Sequence, residues 1–342
     1  MLSKRPSAPL EDHFRVSGKF IPRRLWQRLL LAVLCICVAA ELFARLYLGL
    51  GDPALVQTHP TIEYYFKPDQ RVHPFGNLFK TNRYGMRSDD FPPQKTRAGE
   101  LRVFVVGDSV VNGGNLTDHS RLATTLLQER LTSALRRPVV TGNVSAGSWG
   151  PPNQLAYIKQ FGFLDADVVI LVLSSSDATD APTFEPLNPA THPTQAPWSA
   201  AWEGMTRYLP RYLRFGTAAE LPPPPVERNT VNLQDLQACL AAERDFFGLA
   251  RSAGVTAILL QHWEASELRA GQAEFGHDEI RQVAAEAGVP TWQDAEILRK
   301  YIGQGLNPYR DNIHLNDNGQ RAYADFLFEM LQHDAADRLR AH

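Results

Sequence analysis

Apolar positions along the 342-residue chain change their rhythm three times, and each rhythm predicts a different kind of structure. From Leu29 to Leu50 they run almost unbroken, a stretch long enough to cross a bilayer at about 1.5 Å rise per helical residue. Residues 51–100 mix Pro, Gly and charge without a lasting period and read as a spacer that packs onto the downstream domain. From residue 101 onward, short apolar runs alternate with stretches of helical period. The runs at 103–107, 139–144, 168–173, 256–261 and 289–292 predict strands; 121–136, 154–161, 233–253, 278–287 and 318–331 predict helices. Strands without polar alternation are buried on both faces, so the pattern implies a three-layer α/β sandwich around a parallel sheet. Residues 332–342 form a tail. In a sheet of this kind the site lies beyond the carboxyl ends of the strands.

Residues 181–228 interrupt the alternation with many prolines, including Pro222-Pro223-Pro224-Pro225. Within this insertion Trp202, Met205, Tyr208, Leu209 and Tyr212 recur at helical spacing, with Pro210 expected to break the helix. The insertion leaves the sheet just after Asp177 and should hang over its carboxyl edge. Its aromatics are either a small lobe packed on the domain or a lid that stacks on sugar rings or an acyl chain, which makes Trp202, Tyr208 and Tyr212 candidates for substrate contact. His262 and Trp263 follow the fourth strand at the same edge and are candidates too, against a purely structural role.

Charge adds a direction to the N-terminal run. Lys4, Arg5, Arg15, Lys19, Arg23, Arg24 and Arg28 precede it, which places residues 1–28 in the cytoplasm and everything after the 29–50 span outside. Glu41 and Arg45 interrupt the apolar run but stand four apart, where they can pair. Val38-Ala39-Ala40 resembles a signal-peptide cleavage site, and an interfacial helix is a further alternative. The apolar character continuing past Ala40 favours a retained anchor, hence a single-pass protein with its domain outside the cytoplasm. A net charge of -2 gives no electrostatic basis for nucleic-acid binding. The three cysteines show no disulfide or zinc spacing, and nothing in the sequence calls for a metal or cofactor.

Candidate chemistry starts at Gly107-Asp108-Ser109, where the first strand of the alternation ends. Alone the triplet is an ordinary turn. Near the C-terminus, Asp311-Asn312-Ile313-His314 precedes the closing helix. A serine nucleophile needs a base to take its proton and a third group to orient that base, and His314 and Asp311 supply both for Ser109.

These blocks resemble those of the GDSL-type, or SGNH, hydrolases, over roughly residues 80–331. The resemblance implies a flavodoxin-like parallel sheet, Ser109 as nucleophile, and Asp311 and His314 as its partners. It also implies that Gly147, in Asn143-Val144-Ser145-Ala146-Gly147, joins the Ser109 amide in binding the oxyanion. Where the family's third block reads Gly-x-Asn-Asp, this chain has Ser174-Ser175-Ser176-Asp177, so Ser176 replaces the oxyanion-binding asparagine. Asn82-Arg83-Tyr84-Gly85-Met86-Arg87-Ser88 resembles the lead-in of membrane-anchored bacterial members.

Three function classes are compatible with these features. The first is an extracytoplasmic serine esterase removing acetyl or similar groups from an exopolysaccharide or cell-wall glycan, with polysaccharide-synthesis machinery as a candidate partner. The second is an acyltransferase using the same triad, and the third a glycan-binding or assembly subunit with vestigial chemistry. A lipid esterase is a weaker fourth.

Overall fold

The computed structural model describes residues 22–210 and 231–340. Its first element, α1 (Arg23–Leu46), is almost wholly exposed and long and apolar enough to span a membrane or to serve as a signal sequence. The helix ends before the predicted limit of residue 50 because the chain turns there into the domain. Gly49 sits at φ 62°, a side chain on it would run into the His73 carbonyl, and the next residue, Leu50, is buried.

The 51–100 segment holds two antiparallel strand pairs, β1 (Val56–His59) with β2 (Glu63–Phe66) and β3 (Arg71–Val72) with β4 (Phe79–Lys80). Strands this short cannot show a period, which is why the segment reads as featureless. Its last part closes against the main sheet. The Arg87 amide donates to the Asn143 carbonyl at 3.1 Å, and the Ser88 hydroxyl accepts from the Asn143 amide at 2.7 Å. Arg87 itself is buried, and its guanidinium donates to the Gly114 carbonyl at 2.6 Å and to the carbonyls of Asn112 and Thr117. The lead-in thus ties down the loop that follows Ser109.

The alternation then builds one five-stranded sheet. In chain order come β5 (Leu101–Gly107), the short α2 (Ser109–Asn112), α3 (Ala123–Leu135), β6 (Val139–Ser145), α4 (Pro151–Phe161) and β7 (Val168–Ser174). The insertion contributes α5 (Ala200–Glu203), extended by a wider turn over Gly204–Tyr208. Then follow α6 (Leu233–Ser252), β8 (Thr256–His262), α7 (Ala265–Ala270), α8 (Phe275–Ala287), β9 (Thr291–Gln293), α9 (Ala295–Gly303), α10 (Asp317–Asp334) and α11 (Ala336–Arg340). Strand order is β6-β5-β7-β8-β9 and every pairing is parallel, the flavodoxin-like arrangement. The sequence pattern does not announce α9, which the expected alternation omits.

Side chains alternate between two cores. Phe104, Val106, Val169 and Leu171 face α4, α6 and α8 together with Val56, Ile62 and Met86 of the lead-in. Val103, Val105, Val168 and Ile170 face Leu127 and Leu131 of α3, Leu298 of α9 and Leu327 of α10. Every residue of β5, β6 and β7 is buried. At about 1.5–3 kcal/mol for each large aliphatic side chain fully buried, this double-sided sheet is the rigid frame from which the site is hung.

Candidate active site

Ser109 is delivered by a strand-to-helix turn. Gly107 ends β5 where an added Cβ would lie 2.5 Å from Val111 Cγ2 and 3.2 Å from the Val172 carbonyl oxygen, so only glycine lets α2 fold back so tightly. Asp108 caps α2, its Oδ1 accepting from the Val110 amide at 2.8 Å. Ser109 is therefore the first residue of the helix, a position whose amide has no intrahelical acceptor. Burial pushes the Asp108 carboxyl above its ordinary range.

The Asp311–His314 turn meets this serine from the other side. His314 Nε2 is 2.9 Å from Ser109 Oγ, and His314 Nδ1 is 2.8 Å from Asp311 Oδ2. A carboxylate only accepts, so the ring proton sits on Nδ1 and Nε2 offers its lone pair to the serine hydroxyl. Asp311 Oδ1 also accepts from the amides of Ile313 at 3.0 Å and His314 at 2.8 Å. Partial burial works to raise this carboxyl, but the hydrogen bonds from the His314 ring and amide outweigh it and hold it at about 2.

Register brings the other predicted elements to the same edge. Gly107 pairs with Ser145, so Ser109 and Gly147 each lie two residues past paired strand ends. On the other flank of β5, Ser174 ends β7. Its amide and hydroxyl donate to Asp177 Oδ2 at 2.6 and 2.9 Å, and Ser174 Oγ is 3.0 Å from Ser176 Oγ. Because the Ser174 proton goes to Asp177, the exposed Ser176 hydroxyl donates to Ser174 and must turn to serve any other acceptor. The arrangement resembles that of the SGNH hydrolases.

No family model and no curated protein matches the chain. Among solved structures it is similar to a lipase/acylhydrolase from Enterococcus faecalis, at 12% identity over 68% of this chain and 95% of that one, with a TM-score of 0.41. A member of the lipolytic G-D-S-L family from Veillonella parvula shares 12% identity over 68% of this chain and 99% of that one, with a TM-score of 0.40. An acetyl xylan esterase from Butyrivibrio proteoclasticus shares 16% over 71% and 65%, with a TM-score of 0.38.

Around Ser109, His314 and Asp311 the candidate substrate contacts separate. His192 of the insertion reaches the loop that carries Gly147, its Nε2 4.0 Å from where a Cβ on Gly147 would stand. A cavity of about 300 Å³ opens there, with Tyr64, Ser148, Asp180, Asn188 and His192 in its lining. Tyr208 accepts a hydrogen bond from Asn115 at 3.3 Å and packs edge-on against Phe75, close to the loop after α2. Trp202 is exposed and stands beside Trp198. Tyr212 lies outside the described residues. His262 and Trp263 are buried.

What the sequence reading missed is the support behind the triad. His262 Nδ1 is 2.5 Å from Asp294 Oδ2, and its Nε2 donates to the Ile313 carbonyl at 2.8 Å, inside the Asp311–His314 turn. Asn312 Oδ1 accepts from the Ser266 amide at 3.0 Å and the Asn312 carbonyl from Ala265 at 2.8 Å, while the Tyr309 hydroxyl donates to the Trp263 carbonyl. Asp294 could have been found by the rule that located Ser109, since it directly follows the strand β9 at the same edge.

Proposed function

We propose that the protein is an extracytoplasmic serine esterase, held to the membrane by α1, that removes acyl groups, acetyl above all, from an exopolysaccharide or cell-wall glycan. The observation that carries the chemistry is the unbroken chain of hydrogen bonds from Ser109 Oγ through His314 to Asp311 at the carboxyl edge of the sheet. Ser109 Oγ attacks the acyl carbon as its proton passes to His314 Nε2. The ionised Asp311 keeps the other ring proton on Nδ1 and stabilises the imidazolium. The amides of Ser109 and Gly147 receive the negative charge that develops on the carbonyl oxygen. Collapse breaks the ester bond, the alcohol leaves with the proton from His314, and water then releases the acid from the acyl-serine by the same route.

The glycan reading is supported by the cavity beside Gly147. Tyr64, Ser148, Asp180, Thr183, Asn188 and His192 bring hydrogen-bonding groups to a space of about 300 Å³, which suits a hydroxyl-rich alcohol better than a long alkyl chain. The placement outside the cytoplasm is supported by the basic flank before α1, and polysaccharide-synthesis proteins are the partners such a location would offer.

The test offers the purified full chain a small acetyl ester and an acetylated oligosaccharide, with and without an unacetylated acceptor. Acetate release that disappears in Ser109→Ala establishes the esterase. Acetyl appearing on the acceptor without free acetate replaces it with the transferase, and binding of the oligosaccharide without any turnover replaces it with the assembly subunit.

A further inference from the structure

The insertion leaves large apolar side chains in the open. Trp198 is 80% exposed and Trp202 48%, their rings 6.2 Å apart, and Met205 and Leu209 are exposed along the same short helix. Contiguous exposed apolar side chains of this size mark a contact surface.

Where this helix sits says what covers it. Its first turn is capped by a carboxylate from α1: Glu41 accepts from the Ser199 hydroxyl at 2.7 Å and from the amides of Ala200 and Ala201 at 3.0 Å each. These amides are among the donors a helix start cannot satisfy within itself. Arg45 donates to the same carboxylate at 2.6 Å, so the two charges that interrupt the apolar run are used to fasten the insertion. Glu203 completes the joint, accepting from the Gly51 amide at 2.6 Å and from Arg207 at 3.2 Å, while Ala44, Leu50 and Ala200 pack together beneath.

The joint lies at the end of α1 where Phe43 and Tyr47 stack at 5.1 Å; Trp26 and the arginines mark the other end. Aromatic side chains at both ends of a spanning helix mark the two headgroup levels. A helix fastened at Glu41 is therefore level with the headgroups on the side where the domain lies. Tryptophan is the residue that favours that level.

The geometry points to the phospholipid headgroup region as the occupant of this face: the insertion helix is a second membrane contact beside α1. The consequence for function comes through Tyr208, on the same helix, whose hydroxyl accepts from Asn115 just beyond α2. A bilayer contact there holds the Ser109 edge near the membrane surface, and the ester presented to it is membrane-proximal. This inference rests on α1 being a retained anchor, and the experiment separates the two.

The full chain is reconstituted into phosphatidylcholine vesicles whose lipids are brominated near the carbonyl end of the acyl chains, and tryptophan quenching is read. Of the six tryptophans, Trp149 and Trp263 are buried in the domain and Trp292 packs against Phe326 and His333, which leaves Trp26, Trp198 and Trp202 to meet lipid. The expected result is partial loss of lipid quenching in Trp26→Phe, partial loss in the double variant Trp198→Phe with Trp202→Phe, and near-complete loss when all three are changed. Quenching that vanishes with Trp26→Phe alone leaves the anchor standing and overturns the docking. Absence of lipid quenching in every form overturns both. Protection of Trp198 and Trp202 from brominated lipid and from aqueous iodide alike overturns the docking in favour of a second copy of the chain on this face.

Discussion

Among the described residues, two histidine–aspartate pairs meet at the Asp311–His314 turn, and one of them is arranged to accept a proton while the other is not. His314 and Asp311 are reached by solvent, with side-chain accessibilities of 36% and 46%; His262 and Asp294 are fully buried. Both histidines point Nδ1 at a carboxylate. They differ at Nε2. For His314 that nitrogen faces the Ser109 hydroxyl, which can give it a proton; for His262 it faces the Ile313 carbonyl, which can only accept one. With acceptors at both nitrogens His262 is held as an imidazolium. Burial alone would lower its pKa, but the Asp294 charge and hydrogen bond outweigh this and raise it to about 9. A histidine beside an aspartate is thus a base or a cationic strut according to the atom its outer nitrogen meets, and the strut here braces the turn that carries the base.

The largest expected effect comes from breaking the working pair. Ser109→Ala or His314→Ala should lower kcat for an acetyl ester by up to about a millionfold, and the two together should cost little more than either alone, since such residues act as a unit. Circular dichroism and thermal unfolding should stay close to wild type, because both side chains stand at the sheet edge. Turnover within about tenfold of wild type in either folded variant removes that residue from the mechanism.

Asp311→Asn comes next, with an expected loss on the order of 10⁴-fold, because an amide at this position can fix the wrong tautomer of the ring. The carboxyl, held at about 2, is ionised at any ordinary assay pH, so its own titration should not shape the acid limb of the rate profile.

The sequence made the first of these pairs legible, and of the second only that each residue stands at the end of a strand. Gly107-Asp108-Ser109 and Asp311-x-x-His314 are local signals, each written in a few consecutive residues at the end of a recognisable element. His262 and Asp294 are far apart in sequence and meet only because β8 and β9 are neighbours in the sheet; no periodicity carries that information. The same reason explains why the parallel sheet was readable from its uniformly apolar strands, whereas β1 to β4 and the capping of the insertion by Glu41 were not. Strands of two to four residues have no period, and Glu41 looks like a defect in an apolar run until the helix it caps is seen.

The buried pair should fail as stability rather than as chemistry. His262→Gln leaves Asp294 ionised without its cation, and breaking one partner of a buried pair costs about 3–5 kcal/mol. The sign of its pH dependence follows from the raised pKa. The folded state holds the proton more tightly than the unfolded chain, so this contribution is full below about pH 6.5 and is lost as pH rises through about 9. Urea unfolding of wild type and variant should therefore differ most near pH 6 and converge toward pH 10. A constant difference across that range would show that His262 is neutral in the fold. Replacing both partners, His262→Gln with Asp294→Asn, should recover part of the lost stability, because no unpaired buried charge is left.

The smallest effect concerns what receives the negative charge once the working pair has acted. Ser176 donates to Ser174, whose own proton is committed to Asp177, so the hydroxyl at the position where the resemblance expects an oxyanion-binding asparagine is engaged with its neighbour. Ser176→Asn supplies an amide with a longer reach and two donors, one of which can keep Ser174 while the other faces the carbonyl oxygen. Hydrolysis of a small activated ester should rise by about tenfold, equivalent to roughly 1.4 kcal/mol of transition-state stabilisation and less than the 10² to 10³-fold typically lost when an optimised donor is deleted. The gain should appear in kcat with KM nearly unchanged, since the donor acts on charge absent from the bound ester. It should also vanish in the Asp311→Asn background if formation of the tetrahedral intermediate there is limited by the wrong tautomer and no longer by oxyanion binding. Unchanged or slower hydrolysis in a folded Ser176→Asn variant would mean that the Ser174–Ser176–Asp177 chain is itself the functional arrangement, tuned to a carbonyl oxygen held by the Ser109 and Gly147 amides alone.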